Sequence, residues 1–302
     1  MRAENNDRLA RVISVGRNAA WIAFEDEDVV RVASLRKNVE RLALVPGDLV
    51  AAAPMEDERV IVTRREPRSF ALERTTVGGR TKTMAANIDG IAVVAAFARP
   101  ALHLAMIDEL LAFAELGGIG ACLIFTKADL AESPGDVEQV ANTYRSLGYG
   151  VLLANPKSGA GIDAIEAELT RKRTLLIGQS GVGKSSLFRA FGGPGDVGEV
   201  SKIGRGKQTT TTGRLIRFGS GFLIDSPGVG EFELHGLEPG RIALGFVEFA
   251  PLLGTCRFSD CAHRTEPGCA VRARALDGTI AASRYASYRA ILEREAANTD
   301  GR

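Results

Sequence analysis

Thr174-Leu-Leu-Ile-Gly-Gln-Ser-Gly-Val-Gly-Lys184-Ser185 is the stretch on which the reading of this chain turns. Its first four residues are a short apolar run of the kind that forms a buried strand. The next eight match the pattern G-x-x-x-x-G-K-[ST]. In such a loop, glycines let backbone N–H groups wrap around phosphate oxygens. The residues expected at a bound phosphate chain are Gly178, Gln179, Ser180, Gly181, Val182, Gly183, Lys184, Ser185 and Ser186. Lys184 is placed to meet the β- and γ-phosphates, and the Ser185 hydroxyl to bind Mg²⁺. Ser186-Leu-Phe-Arg-Ala190 reads as the start of a helix whose N-terminus faces the anion.

Apolar strands alternate with helical spacing upstream of this loop. Strands are expected at 91–97, 121–125, 150–153 and 174–177, and helices at 104–116, 136–147 and 162–171. Asp108, Glu109 and Glu115 are read as lying away from the apolar stripe of the first helix. Two more strands follow, at 214–218 and 221–224. Alternation of this kind predicts a largely parallel sheet covered on both faces.

The first 66 residues differ. Five short alternating runs, at 11–15, 20–24, 29–33, 48–52 and 59–63, predict a small barrel, of OB or SH3-like type. Arg64 to Thr83 is polar and basic, and is expected to be a connecting loop. A helical tail is expected from Thr279 to Ala297. The chain has 302 residues, with 45% hydrophobic and 25% charged, so more than one folded domain fits. A net charge of +1 gives no global field toward nucleic acid or membrane. The first residues are polar and charged, and the most apolar region, Ile88 to Phe125, is interrupted by charges. No membrane association and a cytoplasmic location are expected.

Three of the four cysteines crowd between 256 and 269. Cys256, Cys261, His263 and Cys269 give C-x₄-C-x-H-x₅-C, the donor set of one closed structural zinc site. Cys122 is expected to be a core thiol.

Three further segments complete a nucleotide site. Thr126-Lys127-Ala128-Asp129 resembles the N-K-x-D motif of GTPases, in which the Asp accepts hydrogen bonds from guanine N1 and N2. The Asn position is Thr126 here. Asp225-Ser-Pro-Gly228 follows an apolar strand and matches D-x-x-G, with Asp225 expected at Mg²⁺ through water and the Gly228 N–H at the γ-phosphate. Between them, Gly204-Arg-Gly-Lys-Gln-Thr-Thr-Thr-Thr212 offers hydroxyls, Thr210 among them, to Mg²⁺ and the γ-phosphate, and reads as a switch. In most GTPases the phosphate loop precedes the guanine motif. Here the order is reversed, as a circular permutation would give.

These motifs, together with Ala85-Ala-Asn-Ile-Asp89 and the terminal cysteine cluster, resemble across nearly the whole chain the circularly permuted GTPases that assist small-ribosomal-subunit assembly, the RsgA or YjeQ family. The resemblance implies an N-terminal OB-fold at 1–66, a central permuted α/β P-loop GTPase domain at 67–248 and an α-helical zinc domain at 249–302. It implies GTP or GDP bound with Mg²⁺, hydrolysis stimulated by the small subunit, contacts with its rRNA, and a monomer. The fifth guanine-site motif would fall at Asn155-Pro156-Lys157. The family's water-orienting candidate is a His, where this chain has Gln208. Val229 follows Gly228 and has no group to orient water. Without the resemblance, an RNA-binding module with a structural nucleotide site, or a GTPase of another RNA–protein complex, stays open.

Overall fold

A computed structural model describes residues 7–16, 19–27, 29–40, 43–55, 59–75, 81–193, 214–225 and 239–300; at 38, 40, 74, 75, 81, 82 and 298–300 it describes the backbone alone. Two compact units result. The first comprises 1–89, 162–177 and 184–228, and the second 90–161, 178–183 and 229–302.

The first unit opens with β1 (Arg8–Val15), β2 (Ala19–Phe24), β3 (Val30–Leu35), β4 (Leu49–Pro54) and β5 (Val60–Arg65), with a single helical turn, α1 (Lys37–Glu40), after β3. The strands close into a barrel in the order β1-β2-β3-β5-β4, with β3 and β5 parallel. A closed five-stranded Greek-key barrel is the OB architecture and decides between the two barrels that the pattern allowed. Ala10, Val12, Ile22, Phe24, Val50 and Val62 fill its interior. Register shifts at Val12/Ser14 and Ala51/Ala52 are the bulges that let strands bend around a small barrel.

The segment expected to be a loop instead contains a hairpin, β6 (Ala71–Thr75) paired with β7 (Thr81–Ala86). Its polar residues gave no alternation to read. The hairpin is anchored to the barrel by buried polar contacts. Arg68 reaches both oxygens of the fully buried Asp48, at 2.7 and 2.9 Å. Gly47 takes φ +89°, and a Cβ there would lie 2.1 Å from the Ala86 carbonyl oxygen. The unit continues with α4 (Ile162–Leu169), β11 (Arg173–Ile177), α5 (Lys184–Ala190), β12 (Arg214–Phe218) and β13 (Gly221–Asp225). β11 and β13 are parallel, and β12 runs antiparallel to β13.

In the second unit β8 (Gly90–Ala96), β9 (Gly120–Thr126) and β10 (Gly150–Ala154) pair in parallel, with β9 central. Every residue of β8 is buried, as its unbroken apolar run demands. Two helices, α2 (Leu104–Gly117) and α3 (Pro134–Arg145), cross between these strands. The His103 imidazole caps α2 by accepting from the Met106 N–H, and Gly118 ends it in the left-handed conformation. Ser133 and Pro134 start α3. The C-terminal part holds α6 (Pro239–Leu244), a 3₁₀ segment (Val247–Leu252), α7 (Ala270–Leu276) and α8 (Ala282–Asp300). Its core joins Phe246, Phe249, Val271, Ile280, Tyr288 and Ile291 to Ala112 of α2.

One sequence expectation fails inside α2. Asp108 and Glu109 do not face solvent; they are 0% and 4% exposed. Asp108 accepts from Arg284 (2.9 Å) and from the Tyr144 hydroxyl (2.8 Å), and Glu109 pairs with Arg294. A second helix, far along the chain, covers the face that the local pattern left to water. Among the described residues no helix is long and apolar enough to cross a membrane.

Candidate active site and metal centre

The phosphate loop emerges from β11 and runs into α5, the strand-loop-helix context its sequence requires. Gly178 sits so close to β8 that a Cβ would lie 2.1 Å from the Val94 carbonyl oxygen. Any side chain there would push the loop off its strand.

The second unit brings the 126–129 tetrapeptide against residues 178–183 of the loop. Thr126 ends β9 and is buried; its hydroxyl lies 2.5 Å from the Val182 carbonyl and 3.3 Å from that of Ala95. A hydroxyl has one proton to give, and the shorter contact takes it. Lys127 adopts φ +54° and donates from Nζ to the carbonyls of Gly181 (2.8 Å) and Arg99. Two side chains of the tetrapeptide thus hold two consecutive carbonyls of a loop more than fifty positions away.

Asp129 follows in a 3₁₀ turn, 128–130. Its Oδ1 accepts from Asn155 Nδ2 at 3.4 Å. Asn155 is itself fixed, because its Oδ1 accepts from the N–H groups of Lys157 (3.0 Å) and Ser158 (3.4 Å). This is an Asx turn just after β10, and it holds Asn155 beside Asp129.

In the first unit, Lys184 and Ser185 open α5 and Asp225 ends β13. The Ser185 hydroxyl donates to Asp225 Oδ2 at 3.1 Å. Asp225 Oδ1 is buried and, among the described residues, has no hydrogen-bond partner. Burial pushes the Asp225 carboxyl up, and the Ser185 hydrogen bond and the Lys184 charge oppose that. Burial likewise lowers Lys184, against the pull of Asp225. A buried ammonium, a hydroxyl and a carboxylate with one oxygen to spare suit a polyphosphate and its hydrated cation, so these residues fit Mg²⁺ with a nucleotide. Gln208, Thr210 and Gly228 lie outside the described residues.

The metal centre lies in the second unit. The ligand atoms of Cys256, Cys261, His263 and Cys269 all lie within 4.8 Å of one another. His263 Nδ1 is 3.5 Å from both Cys256 Sγ and Cys269 Sγ, and those sulfurs are 4.0 Å apart. Tetrahedral zinc would set S···N at about 3.5 Å and S···S at about 3.8 Å, so the donors fit a structural zinc ion. Backbone N–H groups of Ala270 and Arg272 donate to the sulfurs of Cys256 and Cys269, each at 3.3 Å. The turn between the ligands is held from outside. Glu266 accepts from the N–H groups of Ala262, Arg264 and Thr265, and Tyr288 and Tyr285 donate to the carbonyls of Ala262 and His263. Nothing in the sequence marked these three supporting residues, because their partners are backbone atoms. Cys122 is buried in β9, apart from this cluster.

Known proteins match this arrangement. The RsgA GTPase family model matches residues 65–235. The small ribosomal subunit biogenesis GTPase RsgA of Chromohalobacter salexigens is 42% identical over 95% of this chain and 86% of its own length. Its namesake from Pseudomonas aeruginosa is 41% identical over 85% of this chain and 77% of its own. Among solved structures, YjeQ from Thermotoga maritima aligns over 95% of this chain and 98% of its own, with TM-score 0.76 and 28% identity. YloQ, described as a circularly permuted GTPase, shares the fold at TM-score 0.72 and 24% identity, covering 97% of this chain and 99% of its own. With more than half of its length inside that family model and a relative of this identity along nearly all of it, the chain belongs to the RsgA GTPase family.

Proposed function

We propose that this protein is a GTPase that binds the small ribosomal subunit and assists its late maturation, hydrolysing GTP to GDP and phosphate with turnover stimulated by the subunit. The observation that carries the reading is the pair of contacts from Thr126 and Lys127 to the Val182 and Gly181 carbonyls. They hold the tetrapeptide that resembles N-K-x-D beside a glycine loop that follows it in sequence. The names of the relatives supply the ribosomal partner.

In this reading Lys184 holds the β- and γ-phosphates, and Ser185, Thr210 and Asp225 hold Mg²⁺, which neutralises charge developing on the phosphates. Asp129 reads the guanine edge, oriented by Asn155, with Lys157 beside it. Gly228 meets the γ-phosphate, and Gln208 orients the attacking water through its amide. Val229 cannot share that task, so turnover without the subunit is expected to be slow. Residues 1–66 serve as the RNA-contacting domain, 67–248 as the GTPase domain and 249–302 as the zinc domain. The protein acts as a cytoplasmic monomer.

The test is GTP turnover with and without purified small subunits, for the wild type and for Lys184→Ala. The wild type is expected to accelerate with subunits, and the variant to lose most turnover in both conditions. A folded Lys184→Ala protein that turns over like the wild type would refute the reading.

A further inference from the structure

Two arginines from different parts of the first unit meet on one ring. Arg11 of β1 is 6% exposed, and its guanidinium carbon stands 4.8 Å from the centre of Phe222. Arg217 of β12 places its own 5.3 Å from the same ring. Each arginine is tied further into the barrel. Arg11 donates from Nε to Glu25 (3.0 Å) and from Nη1 to the Gly47 carbonyl (3.1 Å). Arg217 donates from Nη2 to the carbonyls of Glu27 (3.1 Å) and Phe24 (3.4 Å), where the chain leaves β2.

Phe222 is buried near the start of β13, and three residues later the same strand ends in Asp225. The intervening strand has little freedom. Gly221 lies against Lys172 so closely that a Cβ would come within 2.2 Å of its carbonyl oxygen. Phe222 pairs with Arg173 on one side and Arg217 on the other. Through Arg11 the barrel therefore grips the strand that carries Asp225 at Phe222. A packed strand of this kind passes a shift at one end to the other instead of absorbing it.

We propose that the Arg11–Phe222–Arg217 stack is a positioning device that couples what the barrel binds to the Asp225 end of β13, so that subunit docking sets the hydrolytic site through this contact. The proposal rests on the function proposed above and adds the route of its regulation. Arg217 and Phe222 touch neither nucleotide nor metal; they act through the strand.

The test uses the full chain with Arg217→Gln, Arg217→Lys and Phe222→Leu, measuring GTP turnover alone, turnover with saturating small subunits, and subunit binding by co-sedimentation. Arg217 is exposed, so its variants are expected to fold. Basal turnover of the Arg217 variants should stay within about twofold of the wild type, as expected for substitution of an exposed residue. Stimulation should fall by about tenfold in Arg217→Gln and Phe222→Leu, within the usual range of coupling between sites. Subunit binding should persist, and Arg217→Lys should recover part of the stimulation. Because both residues act in one stack, the double variant should be no worse than either single one. Full stimulation in both single variants overturns the proposal. So does a loss of subunit binding in step with stimulation, because Arg217 would then be a docking residue. A wild type that subunits do not accelerate removes the proposed function itself, so the two failures are told apart by that control.

Discussion

Arg284 and Asp108 are both completely buried, 176 positions apart in sequence, and meet at 2.9 Å. Another edge of the Arg284 guanidinium makes a two-pronged contact with Glu248 at 2.8 and 3.0 Å, and its carbon lies 4.6 Å from the centre of the Phe246 ring. Tyr144 of α3 donates to the same Asp108 oxygen. Arg284 therefore joins α2, the 3₁₀ segment and α8, and α3 joins them through Asp108.

Arg284→Leu is expected to cost about 3–5 kcal/mol of stability, because it strands two buried carboxylates without a cation. Urea unfolding would measure it. The loss should also depend on pH. Burial raises the Asp108 carboxyl above its ordinary value, and Arg284 works against that. A raised carboxyl contributes stability while it is protonated, and loses it as pH rises through the folded value. Without Arg284 that value climbs further, so the deficit of the variant should be smaller at pH 5 than at pH 8. A deficit that grows on acidification would contradict this account.

Thr126→Val keeps the shape of the side chain and removes the proton given to Val182. The Val182 carbonyl then loses its donor, a penalty of about 1–3 kcal/mol in a buried setting. Guanine-nucleotide affinity should fall by about tenfold, while Thr126→Ser should stay near the wild type. Titration with a fluorescent GDP analogue distinguishes the two, and equal affinities for the Val variant and the wild type would count against the tie.

Asp129→Asn should exchange guanine for xanthine preference, since the amide donates where the carboxylate accepts. Competition binding with GTP, XTP and ATP reads the change. Unchanged GTP preference in this variant would remove Asp129 from the base-reading role.

Metal analysis of protein purified without chelator should find one zinc per chain. Removing it should unfold the region around α7 and α8 first, since the ligand turn is part of their core. Hydrogen exchange before and after chelation locates the loss, and protection that survives chelation would show that the cluster does not need metal.

Gly47→Ala should destabilise the protein by about 2–4 kcal/mol. It combines an unfavourable backbone conformation with a Cβ pressed on the Ala86 carbonyl. The thermal midpoint checks this, and a shift near zero would mean that the barrel turn can move away from Ala86.

The sequence by itself determined most of the elements and the residue types gathered at the candidate sites. Continuous apolar runs such as 91–97 and 121–125, short and bounded by charges or turns, read as buried strands, and the glycine loop and the Cys/His cluster suggest their ligands by residue type and spacing. Patterns of this kind are local, so they survive without a structure. What only the tertiary structure decided are relationships between distant positions. Asp108 and Glu109 look like solvent-facing residues until α8 brings Arg284 and Arg294 onto them. The polar hairpin at 71–86 has no alternation to betray it, and is held by Arg68, Asp48 and the bare Gly47. Thr126 looks like a weakened guanine contact until its hydroxyl is found on the Val182 carbonyl. In each case the favourable energy comes from a partner far along the chain, and a reading of neighbouring residues contains no term for it.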